Sequence, residues 1–287
     1  MFMEDNMKID GVVVLYNPTE DVIENIKSYI NDINILYVVD NSEKYNKTVI
    51  AQIKKISKCK YINNNGNKGI ASALNIGAKL AIKDGAKWLL TMDQDSKATP
   101  EMVKFLKECI FQYKNNNVGI VSPFHASKYN KEAKDKKCKI QKMVMTSGNL
   151  LNLDAYSIVG PFAEDLFIDY VDNEYCLRLN KNNFIIIENA KAILEHNLGE
   201  LSRKKIFWKN IYCYNYSYIR YYYRSRNVIL VGKKYNYVDK DYLIELLKDS
   251  IKIILYETDK MKKFLYITKG ILDGLNNKTG KLGEYRK

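Results

Sequence analysis

Two carboxylates one residue apart close an apolar run in the stretch TMDQDS (91–96), where Asp93 and Asp95 flank Gln94. Oxygen ligands at i and i+2 suit a hard divalent cation such as Mg2+ or Mn2+, which takes one or two carboxylates and fills its shell with substrate phosphate oxygens. The same three residues serve equally well as a polar turn that ends a strand. A second acidic group lies in FIDYVDNEYCLRL (167–179), where Asp169, Asp172 and Glu174 precede Arg178. Read as one helical run, it brings Asp172 near Asp169 and Glu174 near Arg178, an ordinary solvated face with an ion pair. Set among Phe167, Ile168, Tyr170 and Val171, a carboxyl there would instead have a raised pKa suited to a general base. The third group is His196, in LEH (194–196) after an apolar run. A lone histidine is more often structural than a ligand, but this one follows both acidic clusters, which favours the ligand reading.

The elements that must position these groups alternate. GVVVLY (11–16) and ILYVVD (35–40) read as buried strands, YI (61–62) as a weak third and AKWLLTM (86–92) as a fourth. Between them lie a helix with Val22, Ile23, Ile26 and Ile30 on one face, a helix near 46–56, and a loop and helix over 66–85 that Gly85 ends. Such alternation predicts an α/β fold, a parallel sheet covered by helices on both faces, with ligands at the carboxyl ends of the strands. Tyr16-Asn17, Asp40-Asn41 and Asp93-Gln94-Asp95 all fall at such ends. A helix over 100–114, a strand at 118–122, a charged excursion over 127–139 and ordered chain from 144 follow.

Residues 1–200 hold 26 Lys and Arg against 25 Asp and Glu, whereas 201–287 hold 20 against 8 and 13 of the 23 tyrosines. A boundary near residue 200 is expected, with a domain over 1–200 and a basic, Tyr-rich helical region over 201–287. Within the latter, 242–271 reads as one or two amphipathic helices. The segment 207–234 reads either as a packed appendage or as a membrane-surface platform of Tyr, Trp, Lys and Arg. The basic balance also raises nucleic-acid binding, which the near-neutral first 200 residues and the acidic clusters oppose. There is no GxxxxGK[ST], no GxGxxG after the first strand and no HExxH, and with only His125 and His196 a histidine cage is excluded on count. No apolar stretch approaches the length of a membrane span, and the acidic N-terminus argues against a signal peptide. Five scattered cysteines without CxxC spacing predict reduced thiols in a cytoplasmic protein.

Taken together, VVLYNP (13–18), VVDNS (38–42), GNKGIASALNIG (66–77), LLTMDQDS (89–96), TSGNLLNL (146–153), LFIDYVDNEYCLRL (166–179) and EHNLGE (195–200) resemble a family-2 glycosyltransferase of the GT-A fold, with the bacterial rhamnosyltransferases as the nearest branch. That resemblance implies a mixed, mainly parallel sheet flanked by helices, with a C-terminal helical appendage. It implies that Asp40 contacts the nucleotide base, that Asn67 and Lys68 line the donor loop, and that Asp93 faces the ribose or metal shell. Asp95 and His196 are then ligands of Mg2+ or Mn2+, and Asp172 deprotonates the acceptor hydroxyl. Many relatives carry Glu-Asp where this chain has Val171-Asp172, which leaves Asp172 as the base, with Glu174 and Asp169 as substitutes. The implied donor is dTDP-L-rhamnose, with a UDP-hexose or UDP-galactofuranose as the alternative. The implied acceptor is a cell-surface polysaccharide or lipid-linked glycan, met at the inner face of the plasma membrane. No nucleic-acid partner is expected.

Overall fold

The computed structural model describes residues 7–126, 137–196, 202–206, 209–213 and 215–286. It divides into two compact units, one of Met1–Ala163 with Asp172–Asn197 and one of Glu164–Val171 with Leu198–Lys287.

In the first unit β1 (Ile9–Leu15), α1 (Asp21–Lys27), β2 (Leu36–Asp40), α2 (Lys47–Ile53), β3 (Cys59–Asn63), α3 (Ile70–Lys83) and β4 (Trp88–Asp93) alternate as the hydrophobic pattern predicts. The chain continues through β5 (Ser96–Ala98), α4 (Met102–Gln112), β6 (Val118–Ala126), β7 (Cys138–Gln141), β8 (Asn149–Asn152), α5 (Leu153–Val159), α6 (Val171–Lys181) and β9 (Ile185–His196). The strands form one mixed sheet in the order β3-β2-β1-β4-β8-β6-β9-β5, with β7 also on β9. From β3 to β4 all neighbours are parallel, β8 runs antiparallel between β4 and β6, and β6 is parallel to β9. Ile9, Val13 and Leu15 of β1 are buried with Val38, Leu90, Met92 and Leu106 in one core. Apolar residues on both faces of β1 and β2 are what a parallel sheet covered on both sides requires.

Two sequence expectations are corrected. The chain over 167–179 is not one helical run: Phe167, Asp169 and Tyr170 have φ of 67°, 59° and 66°, and α6 starts only at Val171. A right-handed helix cannot hold left-handed residues, so the i, i+3 relation of Asp169 to Asp172 does not form. The cysteines are not all thiols, because Cys109 and Cys138 form a disulfide. Pairing of β7 with β9, against which α4 packs, brings their Cα atoms to 6.3 Å, a separation that sequence spacing cannot show. The charged excursion falls mostly on 127–136, outside the described residues.

The second unit contains the hairpin β10 (Ser202–Ile206) and β11 (Lys209–Cys213), the helices α7 (Tyr218–Tyr235), α8 (Lys240–Tyr256) and α9 (Lys260–Leu275), and the hairpin β12 (Thr279–Lys281) and β13 (Glu284–Arg286). Side-chain oxygens of Ser217 and Asp239 cap α7 and α8 by accepting from the backbone N–H of Arg220 and Tyr242. The amphipathic stretch 242–271 resolves into two helices, with Asp259 at φ 52° between them. On α9, Gly270 and Gly274 let α7 approach closely, since a Cβ at Gly270 would lie 2.4 Å from the carbonyl oxygen of Tyr222. Tyr221, Tyr222 and Tyr223 of α7 are buried within this unit, their hydroxyls bonded to Glu257, Asp273 and the backbone of Leu282. The exposed apolar surface lies instead on α8 and α9.

Candidate active site

Strand β1 is the switch point of the sheet: β2 and β3 lie on one side of it and β4 on the other. Crevices at the carboxyl ends of strands around such a point are where open α/β sheets bind ligands. Leu15 is level with Asp40 on β2, and Val14 is level with Asp93 on β4. Two strand spacings therefore place the Asp40 and Asp93 backbones roughly 10 Å apart across the end of β1.

On the β2 side the Asp40 carboxylate is fully buried and accepts from the backbone N–H of Ser42 at 2.9 Å and the hydroxyl of Tyr61 at 2.9 Å. Burial first, and then the bond to Asp40, push the Tyr61 phenol far above its usual pKa, so it stays a donor. Asn41 donates to the carbonyl of Gly69 at 3.0 Å and accepts from Asn64 at 2.6 Å, which ties the loop before α3 to the end of β2. Within that loop Asn67 accepts from the N–H of Gly69 at 3.1 Å and Lys68 is exposed.

On the β4 side the DQD segment is a tight turn, with Asp93 ending β4 and Ser96 starting β5. Its central residue anchors it: Gln94 Oε1 accepts from the N–H of Tyr16 at 2.8 Å, and Gln94 Nε2 donates to the carbonyl of Tyr16 at 3.1 Å. Asn25 donates to the Gln94 carbonyl at 2.8 Å. With Gln94 bound to β1, Asp95 is exposed and Asp93 half-buried. Ser147 supports the turn, accepting from the N–H of Asp93 at 3.0 Å and donating to Ser96 Oγ at 2.8 Å. His125 Nε2 lies 2.7 Å from the carbonyl oxygen of Ser147. Neighbouring Gly148 sits at φ 81°, and a Cβ there would be 2.6 Å from Pro123 Cγ, so this corner admits only glycine.

The antiparallel pairing of β5 with β9 sets Ser96 opposite His196. The backbone thus brings His196 beside the residue that follows Asp95, across a sequence gap of a hundred residues. Among the described side chains no three His, Cys, Asp or Glu converge on one point, and the side chain of His196 lies outside them. The expected ligands Asp95 and His196 would combine a carboxylate oxygen, which suits Mg2+ and Mn2+, with an imidazole nitrogen, and Asp93 is expected towards the ribose or metal shell.

Asp172 occupies the first turn of α6 and its Oδ1 accepts from the N–H of Asn173 at 2.9 Å. It lines a small pocket with Thr91, Thr146, Asn149, Phe162 and Tyr175. Thr91 lies two residues before Asp93 on β4, and Thr146 precedes Ser147, so this pocket adjoins the chain segments that hold the DQD turn. The other acids of the cluster are engaged elsewhere. Glu174 is buried in an ion pair with Arg178 at 2.9 Å, the pairing its spacing predicts. Asp169 belongs to the second unit and meets Arg220 at 3.1 Å; burial pushes its carboxyl up, opposed by Arg220 and Arg224. Sequence reasoning passed over Gln94, Tyr61 and Ser147. The only signal for Ser147 was its place in TSGN; Tyr61 and Gln94 carried none, because each acts on a strand remote in sequence.

The sequence matches the family described as Glycosyl transferase family 2 over residues 12–160. It is 32% identical over 302 aligned positions to the dTDP-rhamnosyl transferase RfbF of Shigella flexneri, covering 96% of this chain and 98% of that protein. Among solved structures it superposes on GalNAc-T7 with UDP, GalNAc and Mn2+ at a TM-score of 0.62 and 11% identity, over 95% of this chain and 56% of that one. It also superposes on residues 1–349 of S. aureus TarS in complex with UDP-GlcNAc, at a TM-score of 0.58 and 12% identity, over 93% of this chain and 81% of that one. At such identities the likeness to solved structures speaks for the shared GT-A architecture alone.

Proposed function

Because the chain belongs to glycosyl transferase family 2 and is a glycosyltransferase, we propose that it moves L-rhamnose from dTDP-L-rhamnose onto a hydroxyl of a cell-surface polysaccharide or lipid-linked glycan, with inversion at the transferred carbon. The observation that carries the donor is the 32% identity with a dTDP-rhamnosyl transferase along nearly the whole of both chains.

In this reading Asp40 and the loop with Asn67 and Lys68 receive the nucleoside from the β2 side, and the Asp93 carboxylate faces the ribose and the metal shell. The bonds from Ser42 and Tyr61 fix the Asp40 carboxylate in one orientation. Asp95 and His196 would hold Mg2+ or Mn2+, which when bound neutralises the charge that develops on the departing diphosphate. Gln94 holds the turn so that Asp95 points away from β1. Asp172 takes the proton of the acceptor hydroxyl as that oxygen attacks the anomeric carbon from the side opposite the leaving group. One base suffices for such a displacement, and the place of Asp172 in the first turn of α6, lining the pocket with Thr91 and Thr146, supports that role.

We place the enzyme in the cytoplasm at the inner face of the membrane. Among the described residues no helix is long and apolar enough to cross a membrane. The second unit, however, exposes Leu247, Ile251, Ile254 and Leu255 on α8 and Met261 and Leu265 on α9. Lysines interleave with this apolar face, the composition of a surface that rests on anionic lipid.

The decisive experiment offers dTDP-L-rhamnose, UDP-hexoses and UDP-galactofuranose with Mn2+ and a glycan acceptor, and identifies products by mass and linkage analysis. Transfer from dTDP-L-rhamnose with inverted configuration is expected. Transfer from a UDP-sugar alone would overturn the donor reading.

A further inference from the structure

The pocket that Asp172 lines has a volume of about 10 Å³, and every residue around it belongs to the first unit. Two of those residues, Asn149 of β8 and Tyr175 of α6, are only 3% and 0% exposed. Among the described residues neither Asn149 Oδ1 nor the Tyr175 hydroxyl has a hydrogen-bond partner. Leaving a buried polar atom unbonded is costly, and protein interiors pair such atoms with protein groups or with ordered water.

Neither group is loosely placed. Asn149 Nδ2 donates to the carbonyl of Met145 at 2.7 Å, which fixes the direction in which Oδ1 points. The Tyr175 ring stacks on Phe162 with centroids 4.1 Å apart, and the Arg178 guanidinium lies over it at 5.0 Å. Burial holds the Tyr175 phenol far above its usual pKa, so its hydroxyl stays a donor. Tyr175 follows Asp172 by three residues on α6, so the two share a face of the helix.

An unused acceptor, an unused donor and a carboxylate thus border one small space. Its size suits a single water, which needs roughly 10–15 Å³ and two to four polar partners. The polarity suits one as well. A water there accepts from the Tyr175 hydroxyl and gives its two hydrogens to Asn149 Oδ1 and the Asp172 carboxylate. An apolar occupant would leave both buried atoms unbonded, and a sugar ring is far larger than the space.

We propose that this pocket binds one water, and that Asn149 and Tyr175 are positioning residues that orient the Asp172 carboxylate through it. A carboxylate in the first turn of a helix otherwise swings about its side-chain bonds. A water held by two rigid groups removes that freedom at little entropic cost. The water itself carries no proton, since the acceptor hydroxyl gives its proton to Asp172. The positioning role rests on Asp172 being the base.

A crystal structure of the full chain tests occupancy directly. An ordered water within hydrogen-bond distance of the Tyr175 hydroxyl, Asn149 Oδ1 and an Asp172 carboxylate oxygen is expected. A dry pocket, or a water that Asp172 does not touch, overturns the proposal. Tyr175→Phe keeps the stacked ring and removes only the hydroxyl. Its thermal melt should lie at or below that of the parent, because the change strips a partner from the water. A raised melt is what removal of an unbonded hydroxyl gives, and it would overturn the proposal.

Turnover tests the role. Nucleoside diphosphate release is measured with whichever sugar nucleotide the donor panel shows to react. Asp172→Asn is expected to lower kcat by about 100-fold or more, as loss of a general base does. Tyr175→Phe should lower kcat by about 5- to 20-fold and leave the KM for the donor within about twofold. In the Asp172→Asn background it should cause no further loss, because the group it positions is already gone. An unchanged kcat, or an equal loss in both backgrounds, overturns the positioning role while the base assignment stands. Full turnover by Asp172→Asn overturns the base assignment and the positioning role with it.

Discussion

Gln94 fixes the turn between two acids by its side-chain amide. Both ends of its amide are bonded to the backbone of Tyr16, so the turn cannot roll about the strand axis and Asp95 stays exposed beside the β5–β9 pairing. Asp95→Ala should therefore lower turnover by about 100-fold or more and abolish the stabilisation that Mn2+ with dTDP gives in a thermal melt, as removal of a direct ligand does. A variant that still responds to Mn2+ would move the ligand role elsewhere. A second residue-scale prediction concerns the opposite end of β1. Asp10 is fully buried, and burial raises its pKa above the ordinary aspartate value against the opposing pull of Lys8. A carboxyl whose folded pKa is raised adds its stability below the unfolded pKa and loses it as pH rises through the folded one. Asp10→Asn should thus stabilise the protein on the order of 1 kcal/mol at pH 7, and the gain should vanish near pH 4. Urea unfolding at the two pH values measures this, and a less stable variant at pH 7 would refute it.

At the scale of elements, the site depends on an insertion that reverses the sheet. Strand β8 enters antiparallel between β4 and β6, and the corner before it carries Ser147, which braces both Asp93 and Ser96. Gly148→Ala places a methyl group against Pro123 and Leu194 at a left-handed φ, and should cost about 2–4 kcal/mol of stability. Denaturant unfolding reads the loss, and turnover should fall with it because the brace under Asp93 shifts; an alanine variant of parental stability would show that the corner relaxes freely. The first four strands were legible in the sequence because each is a contiguous apolar run between turn residues. The disulfide of Cys109 with Cys138 and the brace from Ser147 were not, because both follow from strand pairing over long separations. Segment 167–179 misled for the opposite reason: its spacing is helical throughout, yet α7 holds its first residues out of the helix.

At the scale of the whole molecule, the charge asymmetry acquires a location. The buried tyrosines of α7 pack inside the second unit, while α8 turns a stripe of Ile244, Leu247, Ile251 and Leu255 to solvent and buries Asp249 and Ile253 on its other side. That exposed apolar stripe is what supports the proposed contact with a lipid surface. The full chain should float with vesicles containing phosphatidylglycerol, and Leu247→Glu with Ile251→Glu should reduce recovery about tenfold while leaving release of nucleoside diphosphate with a soluble acceptor unchanged. Equal flotation of parent and variant would remove the membrane from the account. By itself the sequence determined the alternating architecture, the acidic turn after β4 and the family, because periodicity, turn composition and short motifs are properties of contiguous residues. Only the tertiary structure decided that His196 lies across from Ser96, that Glu174 and Asp169 are occupied by arginines, and that the apolar face of α8 is the one left uncovered. Those outcomes depend on which distant segments pair and which faces they cover, and the free energy of burial that selects among the pairings belongs to the folded chain as a whole.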